Sequence, residues 1–230
     1  MNIRQHVKNR AVRLAVFPFL PIALLSGALA LSGCSKKNSA QRGIAAVPDT
    51  SDVYAMIVTK ARKTKDLSFL RDDSSPLLAE QREQFDGLKY YAPDKSFAFE
   101  TVLHRLPAPE AMVMATSKDK PREMLRIGWL PFVHGGKEYR LQVYMPKDTS
   151  EEKYWFIPFT DETSGGETYG SGRFIDIDKP ASDSTFLDFN YAYNPYCAYN
   201  HRYDCPIPPK ENRLPIAITA GEKVFLSEPH

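Results

Sequence analysis

Cysteine is scarce in this chain, three residues in 230, and no two of them form a Cys-x-x-Cys pair. The strongest cysteine-based zinc signature is therefore absent. No serine sits in a Gly-x-Ser-x-Gly elbow: Ser171 lies in Tyr169-Gly170-Ser171-Gly172, and Ser164 follows Thr163. No lysine follows Gly170 to Gly172 in a phosphate-binding arrangement, which argues against a P-loop. There is no internal repeat, and no acidic residue occurs before Cys34. With 43% hydrophobic and 12% aromatic residues, the chain as a whole is not a disordered polymer.

What the N-terminus does contain is a complete export signal. Arg4, Lys8, Arg10 and Arg13 form a basic start, Leu14 to Leu31 an apolar stretch, and Leu31-Ser32-Gly33-Cys34 a small-residue cut ending in cysteine. That run resembles the lipobox of bacterial lipoproteins, in which the cysteine sulfur receives a diacylglyceryl group and the signal is removed before it. Residues 1–33 are thus read as signal peptide and Cys34 as the acylated mature N-terminus. Pro18 and Pro21 inside the apolar stretch favour this over an uncleaved transmembrane anchor. Two or more acyl chains, at about 0.8 kcal/mol per buried methylene, hold a protein on a bilayer far better than one. The expected partner is the membrane and the expected address the cell envelope; Ser35 favours the outer membrane where the cell has two.

Loss of the signal reverses the charge balance. The whole chain has 30 basic and 28 acidic residues; without the four signal cations it has 26 against 28, a net charge of −2. No basic stripe remains to bind nucleic acid.

Residues 34–50 lack periodic apolar positions and read as a flexible tether. Residues 51–230 read as a single domain. It opens with a helical preface: Ser51 as cap, Val53, Met56, Ile57 and Ala61 on one face, then a short helix between Ser75-Pro76 and Gly87. Alternation at Phe97/Phe99, Met112/Met114, Leu125/Ile127/Trp129 and Tyr139/Leu141/Val143 predicts strands, with a hairpin turn at His134-Gly135-Gly136. Further strands are predicted at 154–159, 173–177, 185–189 and 214–219. The expected fold is mainly β, an antiparallel sandwich or partly closed barrel.

The densest chemistry runs from Phe159 to Glu222. It includes Asp161-Glu162-Thr163-Ser164-Gly165-Gly166-Glu167-Thr168-Tyr169, Arg173-Phe174, Leu187-Asp188-Phe189-Asn190, Tyr193-Asn194-Pro195, Cys205-Pro206, Lys210-Glu211-Asn212-Arg213-Leu214 and Ala220-Gly221-Glu222. This ordered set resembles domain of unknown function family 1684, over roughly Val53 to Phe225. The resemblance implies one domain with this block as its signature, and no assigned activity.

Within the block, Asp161, Thr163, Glu167, Tyr169, Arg173, Asp188 and Asn190 form the candidate functional cluster. Asp161, Glu167 and Asp188 could supply paired carboxylates for hydrolysis, with Arg173 holding an anion. Arg173 is read first as the structural ion-pair partner of Asp161 or Asp188. Alternate oxygens at Asp161, Thr163 and Glu167 resemble a calcium loop but lack its further acidic positions, so no metal and no cofactor is expected. With Cys34 acylated, Cys197 and Cys205 remain as an even pair in an oxidising compartment and are expected to form a disulfide, in preference to a zinc site with His201. Tyr193, Asn194, Tyr199 and His201 combine aromatic faces with amide donors, a candidate surface for a carbohydrate, peptide or other envelope ligand. The function read from the sequence is a lipid-anchored binding or structural module, with an envelope hydrolase as the alternative.

Overall fold

The structure, a computed structural model, describes residues 50–147, 154–178 and 182–225. The signal peptide, Cys34 and all but the last residue of the tether lie outside the described residues. Helix α1 spans Thr50–Arg71, with Asp52 in its first turn and Arg71 in its last, both favourable to the helix dipole. Its inward side is not the one that apolar periodicity selects. Val58, Lys65 and Phe69 are buried, whereas Met56 and Ile57 are 69% and 56% exposed and Val53 is exposed too. Buried polar partners decide the orientation. The Tyr54 hydroxyl donates to Asp188 Oδ2 at 2.8 Å, Arg62 Nη1 to the Tyr91 carbonyl at 2.7 Å, and Lys65 Nζ to Glu222 Oε1. Helix α2, Ala79–Glu83, falls inside its expected window.

Strands β2 (His104–Met114), β3 (Arg122–His134), β4 (Lys137–Pro146), β5 (Tyr154–Phe159) and β6 (Arg173–Asp178) make an antiparallel sheet in sequential order. Strands β1 (Ala98–Val102) and β7 (Ser184–Asp188) pair as a separate antiparallel ribbon. The fold is mainly β; the described residues form two antiparallel sheets and no closed barrel. His134 pairs with Lys137 across Gly135 and Gly136, whose φ of +57° and +76° suit the two-residue turn that matches strand twist. All six residues of β5 are buried, so this strand lies under cover on both faces and shows no alternation.

The main core gathers Leu130, Leu141, Val143, Trp155, Ile157 and Phe159 from the sheet against Leu187 and Phe189. Phe189 meets Phe132 and Phe159 edge-on, each at 5.3 Å between centroids, the geometry aromatic quadrupoles favour. A satellite cluster under α1 packs Phe69, Leu77 and Leu88 on Tyr199. Asp49–His230 form one compact unit.

The expected strand at 214–219 does not form. Leu214 N–H donates to the Thr160 carbonyl at 2.8 Å and Glu162 N–H to the Ile216 carbonyl at 3.0 Å; beyond these, the Ile218 carbonyl accepts from a buried guanidinium at 2.9 Å. That side chain replaces a strand ladder.

Candidate functional site

Arg173 opens β6 and has no exposed surface. Charge this deep requires a full set of acceptors. Nη2 donates to Asp161 Oδ2 at 2.8 Å and to the Ile218 carbonyl at 2.9 Å; Nη1 donates to the Ala220 carbonyl and, at 3.2 Å, to that of Glu222. The guanidinium also lies over the Phe159 ring, 5.3 Å from its centroid. Both side chains of the Arg173–Asp161 pair are completely buried.

Asp161 in turn organises the glycine-rich loop. Its Oδ1 accepts from Thr163 N–H at 2.7 Å and from the Thr163 hydroxyl, which also contacts Thr168 Oγ1 at 2.8 Å. Gly165 N–H closes on the Thr168 carbonyl at 3.0 Å. Asp161 Oδ1 and the Thr163 hydroxyl are thus occupied within the loop, an Asx-type turn, while Asp161 Oδ2 goes to Arg173. Among the described residues no group of three or more His, Cys, Asp or Glu is placed to hold a metal ion.

The other two carboxylates stand apart. Glu167 pairs with Lys223 at 2.8 Å on the surface, its side chain 58% exposed, and this ammonium holds the Glu167 carboxyl below its ordinary range. Asp188 ends β7, where it accepts from Tyr54 and, at 2.9 Å, from Asn190 N–H. Asn190 fastens the neighbouring turn by exchanging two bonds with the Asp94 backbone, at 2.8 and 2.7 Å. Tyr169 faces the cysteines, with its hydroxyl 3.7 Å from Cys197 Sγ. Of the seven residues of the cluster, Asp161, Thr163 and Arg173 meet, Asp188 and Asn190 bond one another at the end of β7, and Glu167 and Tyr169 have partners outside the cluster.

The proposed ligand surface also turns inward. Tyr199 and Asn194 are 2% and 1% exposed. Tyr193 is half-buried, edge-on to Phe174 and donating to Asp176 at 2.7 Å. Of the four, only His201 is exposed. Rings large enough to stack on a ligand are used as core. The cysteines differ from expectation as well. Cys197 and Cys205 are free thiols, with Cys205 Sγ accepting from Cys197 N–H at 3.2 Å. The short-range bond is a hydrogen bond where a disulfide was expected. A hydrogen bond from Cys205 lowers the Cys197 thiol's pKa, and the same contact, then burial, raises that of Cys205.

Glu222 is the residue that sequence reasoning passed over. It is 1% exposed, and its carboxylate takes Lys65 Nζ, the Asn194 N–H at 2.8 Å and the Tyr199 hydroxyl. Burial and this carboxylate push the Tyr199 phenol well up, so it stays a neutral donor. Gly221 beside it has φ +81°, and a Cβ there would lie 2.7 Å from the carbonyls of Ala192 and Phe189. Only glycine lets the chain pass so close. Asn212, fully buried, bonds both Gln142 backbone groups and the Pro158 carbonyl, clamping β4 to β5. The motif run containing Asn212 and Gly221-Glu222 was the available signal for all three.

The concave surface lies elsewhere, between β1 and β3. A groove of about 560 Å³ is lined by Phe99, Glu100, Thr101, Val102, His104 and Phe132, with Glu138 at its rim. Glu100, His104 and Glu138 are exposed. The groove opens where β3 runs past the start of β2, whose pairing reaches only Trp129.

A family model described as "Protein of unknown function (DUF1684)" matches residues 83–223. An uncharacterized protein of Haloarcula marismortui, solved by solution NMR, is 33% identical over 77% of this chain and 97% of that one, with a TM-score of 0.60. Curated proteins yield no match.

Proposed function

The chain belongs to the DUF1684 family, and we propose that it is a lipid-anchored cell-envelope protein whose folded unit acts by binding. One observation carries the second half of this reading: Asp161, Glu167 and Asp188 each have a different partner in a different place. Hydrolysis by two carboxylates needs them within several ångströms across one substrate. One groove among the described residues, between β1 and β3, has a volume usual for a small-ligand site and sets the half-buried Phe99 beside exposed carboxylates. That chemistry suits a carbohydrate or a peptide of the envelope.

The anchor half rests on the basic start, apolar stretch and Leu31-Ser32-Gly33-Cys34. Intact mass of the mature protein from its native membrane tests it: a chain beginning at acylated Cys34 is expected, and an unmodified cysteine or a retained Met1 segment overturns it. For binding, Glu100→Ala with Glu138→Ala should weaken a glycan or peptide ligand while the fold stays intact. A hydrolase is the competing reading, and loss of turnover on Glu167→Gln in a folded protein would establish it.

A further inference from the structure

The outward face of α1 remains unused by the fold. On a helix of 100° per residue, Val53, Met56, Ile57, Leu67 and Leu70 fall on the arc opposite buried Val58 and Phe69. All five are exposed, Met56 at 69%. Lys60 and Lys63 lie between them and Arg71 follows, all exposed. The single acid near this arc is Asp52, at its edge in the first turn. Exposed apolar side chains with cations among them offer two contacts to an anionic membrane surface. The apolar residues enter the headgroup boundary and the lysine stems extend along it to keep their ammonium groups wet.

We propose that this face of α1 docks flat on an anionic phospholipid surface. The choice of partner rests partly on the anchor reading. Cys34 and Thr50 are sixteen positions apart, so even a fully extended chain lets α1 start no farther than about 55 Å from an acylated Cys34. The helix itself is about 33 Å long at 1.5 Å per residue. A tethered α1 thus samples the bilayer at high local concentration, where weak contacts suffice. Charge selects the lipid: each cation near an anionic surface strengthens attachment several-fold. The docking would fix which side of the folded unit faces the membrane.

The test uses the chain from Ser35 to His230, which lacks both signal and acyl chains and retains the whole compact unit. Its co-sedimentation with phosphatidylglycerol vesicles should exceed that with phosphatidylcholine and fall steeply with salt. Met56→Glu combined with Leu67→Glu, both at exposed positions, should lower the affinity about tenfold or more with an unchanged unfolding transition. No binding to phosphatidylglycerol, or equal binding by the double variant, overturns the proposal. Concentration-dependent dimerisation that the same variant abolishes, without vesicle binding, assigns the face to a second copy of the chain and also overturns it. Vesicle binding by this chain alongside an unacylated Cys34 in the native host supports the docking face and removes only the anchor.

Discussion

Arg173 Nη1 donates to the backbone carbonyl of Glu222 at 3.2 Å, so the residue that neutralises Asp161 also holds the residue that neutralises Lys65. Two buried ion pairs are thereby joined through one turn of main chain at the C-terminal end of the fold. A buried pair is net stabilising only when its remaining hydrogen bonds are met. Here the neighbouring carbonyls, the Asn194 N–H and the Tyr199 hydroxyl supply most of them, while Arg173 Nε is buried without an acceptor. The C-terminal segment is held by side chains from β6 and α1.

Removing Glu222 should therefore strand a cation. Glu222→Ala leaves Lys65 without its carboxylate and is expected to cost about 3–5 kcal/mol, the range for breaking a buried pair. Urea unfolding measures it; Lys65→Met should also be costly, because it leaves the Glu222 carboxylate buried without its cation, and the double variant should cost less than the two single changes added. Equal stability of wild type and Glu222→Ala would contradict the assignment.

Cys197 should be the reactive thiol. Its lowered pKa gives it thiolate at a pH where an ordinary cysteine has little, whereas Cys205 is raised and buried. Alkylation followed by peptide mass mapping should label Cys197 first, with a rate rising at lower pH than for a free cysteine peptide. Label on neither residue until a reductant is added would show a disulfide and replace the free-thiol description.

The Glu167–Lys223 pair should report on pH without affecting the fold. Because the folded carboxyl lies below its unfolded value, its contribution is present above the ordinary glutamate range and is lost as pH falls through the lowered value. An NMR titration of the Glu167 side chain should show this depressed midpoint, and Lys223→Ala should return it to the ordinary range. The pair is solvent-screened, so the melting temperature should hardly move.

Much of the fold could be read from alternation and turns. The hairpin at Gly135-Gly136 and the strands at 98–102, 122–134, 137–146, 154–159 and 173–178 follow local patterning. The α1 orientation and the 214–219 segment did not, for one reason. Both depend on polar side chains whose partners lie far along the chain, Lys65 with Glu222 and Arg173 with Ile218, and no periodicity encodes such pairings. The sequence allows Arg173 to pair with Asp161 or with Asp188; it pairs with Asp161. The tyrosine run could be read either as packing or as a ligand surface, because alternation of large aromatic residues looks the same whether they meet a ligand or a core. Glu222 lay within a motif run, but a lone acid after glycine carries no signal of burial.

The most direct test of a structural Arg173–Asp161 pair is a double-mutant cycle in urea, using Asp161→Asn, Arg173→Met and both together. Each single change should cost about 3–5 kcal/mol, and the pair together distinctly less than their sum, because the double variant leaves no unpaired charge in the core. Single variants as stable as wild type that have lost ligand or turnover would contradict the account and return the pair to a functional site.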